Sequence, residues 1–62
     1  DPDLVPTAEA ALDDDAAPVR AMAVWALAQL APERSTAVAA DRMANEADLD
    51  VLAEWRALNP RR

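Results

Sequence analysis

The 62-residue chain carries 12 acidic side chains and six basic ones, all arginine, for a net charge of −6. It has 17 Ala and no Gly, Cys, His, Lys, Phe, Tyr or Ile. Without Cys or His it can build no ordinary zinc, iron–sulfur or haem site, no disulfide, and no Cys–His or Ser–His catalytic pair. Without Gly and Lys it has no phosphate-cradling loop.

What remains is one small domain. A chain of about 60 residues buries only about 60% of its unfolded surface, so its stability margin is thin, about 3–5 kcal/mol. Ala favours helix at low entropic cost but adds little apolar area. Seven Leu, five Val, two Met and two Trp supply the bulk, so the piece is expected to lean on a neighbour. It starts at Asp1 without an initiator Met and reads as an excised C-terminal fragment. No basic start precedes an apolar stretch. The longest apolar run, Ala21 to Ala28, is far short of the ~20 residues of a membrane span. No membrane partner is expected, and the lack of Cys fits a cytoplasmic setting. The acidic balance opposes nonspecific binding to a phosphate backbone.

Proline divides the chain into four helical segments. The first runs from Leu4 to about Leu12, with Asp3 as candidate N-cap and a stripe of Leu4, Val5, Ala8, Ala11 and Leu12. The block Asp13–Asp15 ends it and reads as a solvated loop, since a calcium loop would need a Gly and a distal Glu. In the second segment Val19, Met22, Ala23, Ala26, Leu27 and Leu30 keep a 3.6-residue period, with Asp15 as candidate cap. Val24, Trp25 and Ala28 widen the apolar surface, the mark of a helix covered from several directions. The third segment, about Glu33 to Glu46, sets Ala37, Ala40, Met43, Ala44 and Ala47 on one face. Arg34, Asp41, Arg42 and Asn45, with Val38 among them, lie on the other. The fourth, about Leu49 to Leu58, is capped by Asp48 and striped by Val51, Leu52, Trp55 and Leu58. The expected fold is all-α: four short antiparallel helices forming two helix pairs, 4–30 and 33–58, joined by loops of roughly three to six residues.

An internal repeat follows. An acidic loop, a Val and an apolar helix occur twice, with an offset of 32 at Val19/Val51 and 31 at Leu27/Leu58. Trp25 and Trp55 fall at matching depths. Asp14, Val19, Arg20, Ala23, Ala26 and Leu27 resemble a HEAT-like repeat, which implies stacked helix pairs. Leu52 stands where the second pair would carry the Arg, which puts an Arg–Asp ladder between repeats in doubt. The run Val19 to Leu27, followed by a Pro-led helix and by Glu54-Trp55, resembles the C-terminal HEAT-like segment of epoxyqueuosine reductases, cobalamin- and iron–sulfur-dependent enzymes that modify tRNA. The resemblance implies a noncatalytic tail that packs on upstream domains of its own chain and supports tRNA, with iron–sulfur clusters and cobalamin held elsewhere in the parent. No catalytic, cofactor or metal residue maps onto this chain. The alternative is a HEAT-repeat scaffold for protein–protein interaction, unrelated to that enzyme.

Arg20, Arg34, Arg42, Arg61 and Arg62 are the candidate contacts to tRNA or a partner. Each also has a plainer reading. Arg20 would be satisfied by Asp14 or by carbonyls of an adjacent repeat, Arg34 and Arg42 by helix-surface pairs with Asp41 between them, and Arg61 and Arg62 by a frayed tail. The two Trp are expected to pack rather than stack on bases. Asp41 with Glu46, or Asp48 with Asp50, has no pocket or nucleophile beside it and reads as surface, not as an acid–base pair.

Overall fold

The computed structural model describes residues 4–58. They form four helices, α1 (Leu4–Ala11), α2 (Ala17–Leu30), α3 (Pro32–Ala44) and α4 (Leu49–Leu58), and no strand. The class is all-α, as the periodicity predicts. Asp3, Arg61 and Arg62 lie outside the described residues.

Local chemistry sets the helix ends. Pro18 sits in the first turn of α2 and Pro32 opens α3, positions where a missing N–H costs nothing. A residue before proline is disfavoured in the helical region, so Pro32 ends α2 at Leu30 and leaves Ala31 alone as the link. Ala31 N donates to the Leu27 carbonyl at 2.7 Å, and Ser35 N donates to the Ala31 carbonyl at 2.9 Å. One residue thus closes α2 and opens α3, where a loop of three or more was expected. Asp48 caps α4 as expected: its Oδ1 accepts from Asp50 N at 2.9 Å and Val51 N at 3.1 Å. The Asp15 cap does not form. Ala16 occupies the N-cap of α2 without a side-chain bond, and the Asp14 carboxylate takes Ala16 N at 2.8 Å instead.

Helix α2 packs against each of the other three. The molecule is a slab with extents of 29 × 27 × 15 Å, its thin dimension that of two helix layers about 8–10 Å apart. Trp55, Leu27, Val24 and Val51 are its largest fully buried side chains, joined by Ala8, Leu12, Ala23 and Ala39.

Three expected faces change. On α2 the buried side is Ala23, Val24 and Leu27, whereas Val19, Met22 and Leu30 are exposed. A helix apolar on nearly all sides offers no polar stripe to fix its rotation. Its rotation follows Val24 and Leu27, which join Val51 and Trp55 in the core. Of the face expected on α3 and just beyond it, only Met43 packs on the core, while Ala37, Ala40, Ala44 and Ala47 are exposed. Ser35 and Ala39 are buried, and Val38 and Met43 pack at the core's edge. Exposing alanine methyls forfeits little area, so the bulk of Val38 and Met43 decides the side that faces inward. Finally, Trp55 is 1% exposed and Trp25 is 52% exposed. The second loop and helix start repeat the first at an offset of 32, from Ala17 to Leu49. In that register Trp55 matches Ala23, which is buried, and not Trp25.

Candidate functional site

Arg20, on the first turn of α2, reaches both interhelix loops. Its Nη1 donates to the carbonyls of Asp14 at 2.8 Å and Asp15 at 3.0 Å. Its Nε and Nη2 each donate to one Glu46 carboxylate oxygen at 2.9 Å. This fork-on-carboxylate geometry is the stronger, more directional form of ion pair. Glu46 is braced in turn, because its Oε2 also accepts Asp48 N at 2.9 Å. Asp14 with Ala16 N and Glu46 with Asp48 N therefore repeat one loop geometry 32 residues apart.

Arg34 makes a second fork, with Nε 3.0 Å and Nη2 2.6 Å from the two oxygens of Glu9 on α1. Arg42 Nη1 donates to Asp13 Oδ1 at 2.5 Å. Neither pairs with Asp41, the partner expected along their own helix; both reach across to the first half of the chain. The Asp13–Asp15 block is thus bonded as well as exposed. Hydrogen bonds from Arg34, Arg42 and Arg20 hold the Glu9, Asp13 and Glu46 carboxyls below their usual values, Glu46 with further help from the Asp48 amide. The same bonds raise the three guanidinium values. The three candidate contact arginines within the described residues are therefore already engaged by carboxylates.

No group of three or more potential metal ligands comes together among the described residues, and no described helix is long and apolar enough to cross a membrane. Lacking Cys and His, the chain offers no fit for an iron–sulfur cluster or an axial cobalamin nitrogen.

The apolar chemistry lies on α2. Met22 is 66% and Trp25 52% exposed, and together they form a ridge between two open grooves. One groove, of about 370 Å³, runs between α1 and α2 and is walled by Leu4, Ala8, Val19 and Leu30. The other, of about 700 Å³, lies between α2 and the start of α4, with Ala21 in its wall and Asp48, Asp50 and Glu54 on its rim. Sequence reasoning placed Val19, Met22, Trp25 and Leu30 in the core and so missed this face. The available signal was a helix with more apolar sides than three short neighbours can cover.

No family model matches the chain, and no curated protein or solved structure is detectably similar to it.

Proposed function

We propose that this chain is a noncatalytic HEAT-like helical module that packs through its α1–α2 face on a larger protein. The carrying observation is the open apolar groove walled by Leu4, Ala8, Val19 and Leu30. Leu4, Val19 and Leu30 in its wall are exposed, and a domain this small gains most from covering such apolar side chains. The HEAT-like part of the reading is supported by the loop geometry repeated 32 residues apart and by Arg20 bridging the first acidic loop to the second.

The parent protein proposed from the sequence resemblance is an epoxyqueuosine-reductase-like, iron–sulfur tRNA-modifying enzyme of the cytoplasm. This piece would then brace the catalytic domains, and the clusters and cobalamin would sit on other segments. Support of tRNA through Arg20, Arg34 or Arg42 would require each to leave a carboxylate partner. The acidic surface favours protein packing over tRNA as the main role. The alternative, a HEAT-repeat scaffold, shares the packing face but predicts further helix pairs in place of a cofactor domain.

Two measurements test these readings separately. Hydrogen exchange on the full parent chain should show Val19 to Leu30 better protected than in the 62-residue chain; equal protection overturns the packing role. The parent should also carry a Cys run with the two-cluster ferredoxin spacing and bind iron. A parent without that run overturns the reductase reading and leaves the scaffold.

A further inference from the structure

The groove between α2 and α4 combines two features found together at no other groove described above. The apolar ridge of Met22 and Trp25 forms one side of it, and its rim carries two carboxylates, Asp50 and Glu54, that pair with no arginine of the described residues. Elsewhere Glu9, Asp13 and Glu46 each hold an arginine. Among the described residues Asp50 and Glu54 have no basic partner. They stand four residues apart on α4, which puts them on one side of the helix about one turn, or 6 Å, apart.

We propose that this groove docks a cationic amphipathic helix from a partner protein. Apolar side chains of that helix lie on Met22 and Trp25, and Lys or Arg residues spaced one turn apart sit over Asp50 and Glu54. The charge pattern selects this occupant. A nucleic acid or an anionic lipid surface meets three carboxylates at the rim and is repelled. A second copy of the chain brings its own net charge of −6. A helix with an apolar stripe and a basic edge satisfies both features at once. The proposal goes beyond the packing role: it concerns the other groove, a different partner and an electrostatic selection that the α1–α2 face lacks.

The test uses the 62-residue chain and three labelled peptides of about 18 residues: a Leu/Lys amphipathic helix, its Leu/Glu counterpart, and the Leu/Lys composition scrambled to break the apolar stripe. Binding is read by fluorescence anisotropy at two salt concentrations. Only the Leu/Lys helix should bind, more weakly at higher salt. Asp50→Asn with Glu54→Gln should weaken it about three- to tenfold, and Met22→Gln should weaken it independently. Glu33→Gln with Asp41→Asn makes the same charge change on α3 and should leave binding as it was. Circular dichroism confirms that each variant retains its helix. The proposal is overturned if the Leu/Lys helix does not bind, or if the Leu/Glu or scrambled peptide binds as tightly. It also fails if the α3 control weakens binding as much as the rim pair. A dimer of the chain alone that Met22→Gln disrupts and the rim pair strengthens would assign the groove to a second copy. Loss of peptide binding leaves the hydrogen-exchange prediction for the α1–α2 face untouched, so the two readings fail separately.

Discussion

Arg20 grips Glu46 through two parallel hydrogen bonds, both 2.9 Å, while its remaining nitrogen holds the carbonyls of Asp14 and Asp15. One side chain thereby ties the α1–α2 loop to the α3–α4 loop through Glu46, 26 residues beyond Arg20 itself. The pair is also the best shielded of the three ion pairs, with side chains 20% and 9% exposed, against 53% and 25% for Arg34 and Glu9. Arg20→Ala should therefore lower the thermal midpoint more than Arg34→Ala. Arg20→Lys should recover little of the loss, because an ammonium cannot reproduce the fork and the loop contacts together. Thermal melts of the three variants by circular dichroism check this ordering. An Arg20/Glu46 double-mutant cycle should show coupling larger than one at Arg34/Glu9.

The same pairs set the pH response. Glu9, Asp13 and Glu46 all have folded-state values lowered, chiefly by their arginine hydrogen bonds. A carboxyl with a lowered folded value adds stability that is fully present above its unfolded value and lost as pH falls through the folded one. The chain should thus hold a constant midpoint between about pH 6 and pH 8, where it has no histidine to titrate. Stability should fall progressively below about pH 4.5. Arg20→Gln should flatten that acid slope while lowering the plateau. Melts across the range give both quantities.

The two tryptophans behave differently. Trp55→Ala removes a fully buried ring, a change that costs about 3–5 kcal/mol. That equals the whole margin of about 3–5 kcal/mol expected for a chain this small. The variant should lose its helical signal at room temperature. Trp25→Ala removes a ring more than half in water and should shift stability by only about 0.5 kcal/mol. Circular dichroism separates the two. Emission of the Trp25→Ala protein, from Trp55 alone, should be blue-shifted from that of the unmodified 62-residue chain.

That asymmetry marks where the sequence is legible. Helix existence is written in the proline positions and the 3.6-residue period, and the Asp48 cap was readable from residue type. The rotation of α2 was not readable, because Val19, Met22 and Trp25 are as apolar as Val24 and Leu27. The rotation of α3 depended on Val38 outweighing several alanines and on arginines reaching Glu9 and Asp13, partners 25 and 29 residues away. Asp14 is a partner of Arg20 as expected, through its carbonyl, but the other carbonyl is that of Asp15 in the same loop and not one of an adjacent repeat, and the bond to Glu46 depends on how the second pair is laid against the first. Matching Trp25 with Trp55 follows residue identity. The 32-residue register of the loops aligns Trp55 with Ala23.

The approach of α3 rests on small side chains. Ser35 and Ala39, one turn apart on α3, are 3% and 7% exposed, and α3 packs against both α2 and α4. Ala39→Leu inserts a larger, branched side chain at a buried position and should cost about 1–3 kcal/mol by overpacking. The same substitution at Ala40, which is exposed, should be nearly neutral, since Ala and Leu have similar helix propensity. Denaturant melts of the two variants compare sites adjacent in sequence. Had the alanine face expected from sequence been the buried one, Ala40→Leu would be the damaging change.

The α1–α2 face gives the last prediction. Val19 is 41% and Leu30 38% exposed, and both line its groove. In the 62-residue chain, Val19→Lys with Leu30→Lys should leave the helix content unchanged, move the midpoint little, and reduce binding of an apolar dye. If the chain packs on a larger parent protein through this face, as proposed above, the same pair should weaken that packing, because desolvating two ammonium groups without partners is costly. Limited proteolysis there should cut more readily within residues 1–62 than in the unmodified parent. A parent whose cleavage rate does not change would show that this face is not covered. The dye result would still report its exposure in the isolated chain, so the face and its partner are tested by different measurements.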